Sequence, residues 1–129
     1  MPMDTAHNTV LVAITDIFFY TKVRDALLPQ GYRLEKARGQ QDIADKAAAT
    51  HPIAVILDMN DQVLNAFQAL ETLKSDPRLS TIPTLAFANH EEVDTWNRAK
   101  ALGITRIVSR NEFSSRTKDL LEEVTKAAS

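Results

Sequence analysis

Few side chains in this 129-residue chain stand where chemistry is done. The first is Asp58, which closes the apolar run Pro52-Ile53-Ala54-Val55-Ile56-Leu57 and is followed by Met59-Asn60. Branched apolar runs of this length read as buried strands, and open α/β sheets bind and react just past the carboxyl ends of such strands. Asp58 therefore occupies the place of an active-site acid. Arg110 is the second, because a guanidinium is always charged and its fork matches a carboxylate, which suits a standing pair with Asp58. His90, between Asn89 and Glu91, lies near the same edge and could serve a metal or acid–base role, although a lone loop histidine is ordinarily solvated. His51 and His7 read as structural. The chain has no cysteine, which removes thiolate nucleophiles, thiolate zinc sites and disulfides together and fits a reducing, cytoplasmic setting. Gly31, Gly39 and Gly103 are isolated turn or cap residues, so no glycine-rich phosphate loop is present.

Strands and helices must alternate to bring these groups together, and the sequence supplies that alternation. Val10 to Ile14 is a short, continuously apolar run of the kind found at the centre of a parallel sheet. Thr15-Asp16 opens a helix over Ile17 to Leu28, with Phe19, Val23, Ala26 and Leu27 at spacings of three and four, and Pro29-Gln30-Gly31 stops it. Tyr32 to Ala37 reads as a weaker, edge-like strand. Gln41 to Thr50 reads as an alanine-rich helix that leads into the strand ending at Asp58. Asn65 to Ser75 is an amphipathic helix halted by Asp76-Pro77. Ile82 to Ala88 is a fourth strand, with Pro83 tolerable near its start. Glu91 to Leu102 is a fourth helix ended by Gly103, Thr105 to Ser109 a fifth strand, and Ser114 to Ala128 a last helix. Five strands alternating with five helices predict a parallel sheet covered on both faces through right-handed crossovers.

The size predicts one domain over residues 9–129, large enough to bury about two thirds of its unfolded surface. Met1 to Asn8 read as a disordered lead-in. The net charge is −2 with both signs interspersed, so neither a nucleic-acid footprint nor a membrane-binding basic face stands out. No apolar run approaches the roughly 18 residues a membrane span needs.

With Gly31-Tyr32 after the first helix, Leu57-Asp58 ending strand three, Asp76-Pro77, Ile82-Pro83 and Ala101-Leu102-Gly103 in place, the chain resembles the receiver domain of two-component response regulators over Val10 to Ala128. The resemblance implies a flavodoxin-like (βα)5 three-layer sandwich, its five-stranded parallel sheet in the order 2-1-3-4-5. In that family the strand-three Asp accepts a phosphoryl group. An acidic pair after strand one holds a divalent cation, and a Thr or Ser after strand four and a Lys-Pro after strand five assist. Hard oxygen ligands suit magnesium, and positive groups neutralise the phosphoryl oxygens in flight.

Against that pattern the acidic pair falls on Ile14 and Thr15, with Asp16 one place further on and its side chain expected to point elsewhere. The hydroxyl position is Ala88, Lys-Pro becomes Arg110-Asn111, and the aromatic that moves in many receivers would lie at Ile107. The loop Met59-Asn60-Asp61-Gln62-Val63 lacks the usual Pro-Gly. These departures imply a degenerate receiver, or pseudo-receiver, that is not an enzyme. It would bind no cofactor and act by contact with a protein partner, such as a histidine kinase or an output domain. Asp58 would be the retained phosphoacceptor position, in a pocket formed by Ile14, Thr15, Asp16, Asn60, Ala88 and Arg110. The alternative is a working phosphoacceptor at Asp58, with Asp16 or Asp61 helping to hold magnesium. A third reading is an oligomerising module, a homodimer through the face of helix four, strand five and helix five. On that face Trp96 and Ile107 are the candidate partner-binding residues. Phe18, Phe19 and Tyr20 cannot all face inward, so one or two should be exposed or fill the vacated acidic pocket.

Overall fold

The computed structural model describes residues 8–128; the lead-in expected over Met1 to Asn8 lies outside them, apart from Asn8. A five-stranded sheet runs in the order β2-β1-β3-β4-β5, every neighbouring pair parallel. Its strands are β1 (Thr9–Ala13), β2 (Arg33–Lys36), β3 (Ala54–Asp58), β4 (Thr84–Ala88) and β5 (Arg106–Ser109). The helices between them are α1 (Ile17–Leu27), α2 (Gln40–Thr50), α3 (Ala66–Ser75), α4 (Val93–Ala101) and α5 (Arg110–Ala128). This is the doubly wound, flavodoxin-like sandwich that the resemblance implied.

Side-chain alternation along the strands divides the interior into two cores. Leu11, Ala13, Val55, Leu57, Ala86 and Ala88 pack with Ile43, Ala47, Leu70, Leu73 and Ala99 under α2, α3 and α4. Val10, Val12, Ala54, Ile56, Leu85 and Phe87 point the other way, against Phe19, Val23 and Leu27 of α1 and Phe113, Leu120, Leu121 and Val124 of α5. Because successive strand residues face opposite sides, Asp58 projects on the side of Ala54 and Ile56, toward α1 and α5. Opposite it in register is Phe87.

Phe87 is the middle of an aromatic column. Its ring stacks on Phe19 at 4.8 Å and on Phe113 at 4.4 Å, tying α1, β4 and α5 together. Of the three neighbouring aromatics, Phe19 is buried, Tyr20 is half-buried and Phe18 is exposed, as helical spacing requires.

Several boundaries differ from expectation. The last helix starts at Arg110 and not at Ser114, because the Ser109 hydroxyl accepts the Glu112 amide at 3.0 Å and caps it four residues sooner. That early first turn carries Phe113 into the core; the helix then kinks at Arg116, whose φ and ψ are −131° and 30°. The fourth helix starts at Val93 and not at Glu91, since Asn89 to Glu92 are turned back by the Glu92 amide donating to the Asn89 carbonyl. Leu28 leaves α1 for a 3-10 turn over Leu28–Gln30 that holds Pro29 in its first positions and ends at Gly31, the glycine having a φ of +93° that other residues adopt at a cost. Among the described residues no helix is long and apolar enough to cross a membrane.

Candidate functional site

The carboxyl edge of the sheet holds a cavity of about 260 Å³ lined by Thr15, Asp16, Asp58, Asn60, Asp61, Gln62 and Arg110. Four of the six expected pocket residues, Thr15, Asp16, Asn60 and Arg110, thus meet around Asp58. The other two, Ile14 and Ala88, are buried to 0% exposure and belong to the two cores on either side of the sheet. No ligand atom can coordinate to either.

Asp58 is 2% exposed. Its Oδ1 accepts the Asn60 amide at 2.9 Å and lies 3.8 Å from Nη1 of Arg110. Burial pushes its carboxyl above the usual carboxylate range; the Asn60 hydrogen bond and the Arg110 charge work against that rise, while Asp61 and Asp16 add to it. The pair with Arg110 exists, but beyond hydrogen-bond distance. Arg110 instead lays its guanidinium over the Phe19 ring, 4.4 Å from the centroid, and lies 5.8 Å from the centroid of Phe87. A lysine at this point would not give the planar stack, because its ammonium is a point charge and not a flat guanidinium.

Asp61 is the best-anchored carboxylate of the pocket. Its oxygens accept the Thr15 amide at 2.7 Å, the Thr15 hydroxyl at 2.8 and 2.9 Å, the Val63 amide at 2.9 Å and the Leu64 amide at 2.8 Å. Burial opposes its charge, but these donors outweigh burial and hold the Asp61 carboxyl below its ordinary range. Thr15, at a position where the resemblance would put an acid, therefore acts as a donor that fastens the β1 end to the β3–α3 loop. Asp16 does not point away as expected. It lines the cavity while capping α1, its Oδ1 accepting the Phe18 and Phe19 amides at 2.9 and 3.2 Å.

Magnesium needs several free hard oxygens in octahedral array. Both Asp61 oxygens are taken by Thr15 and loop amides, Oδ1 of Asp16 is taken by the Phe18 and Phe19 amides, and Ile14 supplies no oxygen. Among the described residues no group of three or more His, Asp or Glu side chains is arranged to hold a metal ion. This donor set does not fit the cation that the working-phosphoacceptor alternative requires.

Asn60 joins two loops. Its Oδ1 accepts the Asn89 amide at 2.9 Å and its Nδ2 donates to Glu92. The Asn89 carbonyl accepts Nε1 of Trp96 at 3.1 Å, so Trp96 is half-buried against the α4 core with its one polar atom satisfied. Ile107, the other expected contact residue, is 7% exposed and packs in the same core. Ala99 of α4 packs in that core as well, whereas Val93 at the start of α4 is 62% exposed. The outer side of β5 and α5 carries ion pairs within the chain: Arg106 with Glu123 at 3.0 Å, Arg116 with Glu112 at 2.8 Å, and Arg116 with Glu123. His90 is exposed, 3.9 Å from the exposed Glu91, and lines an open cleft of about 450 Å³ with Asn89, Ser109, Arg110 and Asn111.

Two features escaped the sequence reading. The Thr15–Asp61 contact spans 46 residues and has no local signature, although Asp61-Gln62-Val63-Leu64 is the pattern of an Asx turn. The Asn60 bridge likewise joins residues 29 and 32 positions apart.

No protein-family profile matches the chain. The protein RcaC of Microchaete diplosiphon is 27% identical over 96 residues, 74% of this chain, and the chain spans only 15% of that protein's length. Among solved structures, the signal receiver domain of a signal transduction histidine kinase from Syntrophus aciditrophicus superposes with a TM-score of 0.81. It is 16% identical, over 93% of this chain and 91% of that one. The chemotaxis protein CheY4 of Vibrio cholerae gives 0.80 at 20% identity over 92% and 98% of the two chains. The phosphorylated cyanobacterial phytochrome response regulator RcpA gives 0.73 at 18%, over 94% and 91%. The chain has the fold of response-regulator receiver domains, the CheY-like form of the flavodoxin sandwich. At these identities the likeness is one of fold, and function rests on the pocket.

Proposed function

We propose that this chain is a receiver-like module of two-component signalling that acts through protein contact and not through magnesium-dependent phosphorylation of Asp58. The observation that carries the reading is the state of the pocket carboxylates: both oxygens of Asp61 are taken by Thr15 and loop amides, Oδ1 of Asp16 is taken by the first amides of α1, and Asp58 is buried beside Arg110. Arg110 sets one positive charge of the protein's own beside Asp58, while backbone amides and Thr15 take up Asp61 and the amides of α1 take up one oxygen of Asp16. The partner is a histidine kinase or an output protein, and the module works in the cytoplasm where such partners act. The homodimer expected through α4, β5 and α5 is the weaker form of this reading, since the charges of β5 and α5 are paired internally.

Incubation with acetyl phosphate or beryllofluoride and magnesium tests the reading, with mass spectrometry and amide NMR as readouts. The expected outcome is no stoichiometric adduct and no shift around Asp58. An adduct on Asp58 that disappears in Asp58→Asn would restore the phosphoacceptor reading.

A further inference from the structure

The resemblance directs attention to a hydroxyl at the end of β4 and an aromatic on β5 as the parts that relay the state of the pocket to the outer helices. Here those positions are Ala88 and Ile107, both buried apolar side chains with nothing to exchange. A different connection leaves the pocket. The Asn60 amide donates to Asp58 Oδ1 at 2.9 Å, and the same residue's side chain grips the β4–α4 loop twice, at the Asn89 amide and at the Glu92 carboxylate.

The orientation of that side chain is set by chemistry. A backbone N–H only donates, so the Asn60 atom facing Asn89 must be the oxygen, and the nitrogen then faces the carboxylate of Glu92. Beyond the grip, Asn89 is a node: its carbonyl accepts both the Glu92 amide at 3.1 Å and the Trp96 indole at 3.1 Å. Glu92 is the residue from which α4 starts, and its carbonyl accepts the Trp96 amide at 3.2 Å. The other polar contacts of Asp58 lead elsewhere, its backbone carbonyl to the Asp61 amide and its carboxylate to Arg110 on the α5 side.

We infer that Asn60 is a positioning residue that couples the Asp58 pocket to α4, through Asn89 and Glu92 to Trp96. A change at Asp58 Oδ1, whether a partner's donor arriving there or loss of the acceptor, shifts the Asn60 peptide. The side-chain grip then moves the first turn of α4. The inference rests on the reading of Asp58 as the regulatory centre of a receiver-like module. It concerns a contact path inside one chain and needs neither phosphate nor partner, so it fails or stands separately from the adduct assay.

Trp96 is the chain's single tryptophan and gives one indole resonance. The test compares Asp58→Ala in the wild-type background with Asp58→Ala in an Asn60→Ala background, on the full chain, by 15N NMR. With Asn60 present, removing the Asp58 acceptor shifts the Asn89 amide and the Trp96 indole. With Asn60 replaced, those two signals no longer respond to the Asp58 change, while the Met59 amide still does. Asn60→Ala alone exchanges the Asn89 amide roughly tenfold faster, as loss of one hydrogen bond requires. An indole shift of equal size in both backgrounds overturns the inference, and so does no shift in the wild-type background. Should Asn60→Ala fail to fold, Glu92→Ala removes only the far arm of the grip. The Asp58→Ala shift at Trp96 then shrinks, and an undiminished shift overturns the inference.

Discussion

Replacing Thr15 by Val removes one proton from the pocket while keeping the β-branched shape, so its cost measures how far Asp61 holds the β1 end. The Thr15 hydroxyl lies 2.8 and 2.9 Å from the two Asp61 oxygens, but it has one hydrogen and counts as one shared bond. The Thr15 amide bond at 2.7 Å survives the change. A hydrogen bond to a charged group contributes about 1.5–3 kcal/mol, and the lower end applies here because both residues are only half-buried and three backbone donors remain on Asp61. The added methyl returns a few tenths of that. Thr15→Val should therefore lose about 1 kcal/mol, a fall of about 3–5 °C in Tm for a domain of this size.

The assay is urea unfolding of the wild type, Thr15→Val, Asp61→Asn and the double variant. Asp61→Asn should cost more than Thr15→Val, since its amide would turn a donor toward backbone N–H groups. In that background Thr15→Val should cost almost nothing. The pH dependence has a definite direction. Asp61 is held below the unfolded value of 3.8, so its contribution is present above that value and is lost as the pH falls through its lower folded value. The Thr15→Val penalty should be full at neutral pH and shrink in acid. Additive costs, with a coupling below about 0.5 kcal/mol, would refute the anchoring role of Asp61.

Two further outcomes follow from the same side of the sheet. Asp58 has its carboxyl raised above 3.8 by burial, so the native state keeps its proton to higher pH than the unfolded chain and the protein loses stability as the pH rises through that interval. Asp58→Asn keeps an acceptor for the Asn60 amide without the charge. It should be more stable than the wild type at pH 7, with the gap closing toward acid, and a variant less stable at every pH in urea titrations would contradict the burial argument. Phe87→Ala empties the middle of the aromatic column and should cost about 3–5 kcal/mol in the same titrations. A loss under about 1.5 kcal/mol would mean that Phe19 and Phe113 close the gap and the column is not a rigid support for Arg110.

What was legible in the chain is what the backbone periodicity carries. The runs Val10 to Ile14 and Ile53 to Asp58 read as central strands and are so within a residue, and the helices stopped by Pro29-Gln30-Gly31 and by Gly103 end one residue before the expected Leu28 and Leu102. The start of α5 was missed because its cap, Ser109, looks like the end of a strand, and Phe113 then appeared to stand in a loop. Ile107 was placed by its correspondence to the aromatic that moves in many receivers, and the alternation on β5 buries it with Ala86 and Ala99. The contacts that decide the site, Thr15 to Asp61 and Asn60 to Asn89, join segments far apart in the chain through single hydrogen bonds. No periodicity records such contacts.

Those contacts also explain how a pocket with three carboxylates stays folded around one guanidinium. Unshielded, Asp16, Asp58 and Asp61 would repel one another in a partly dry cavity. Two of them are turned to backbone N–H groups, at the start of α1 and in the turn after β3, where the peptide dipoles do the work a cation would do. The third is left with one amide and a guanidinium that is itself held by the Phe19 ring. Ile14 is consistent with this arrangement, because a fourth carboxylate there would lie against the Phe19 and Phe87 side of the core with no donor assigned to it. The substitutions at Ile14, Thr15 and Arg110 therefore act as one change. Restoring a single acid at Ile14 should destabilise the fold before it restores any affinity for a metal.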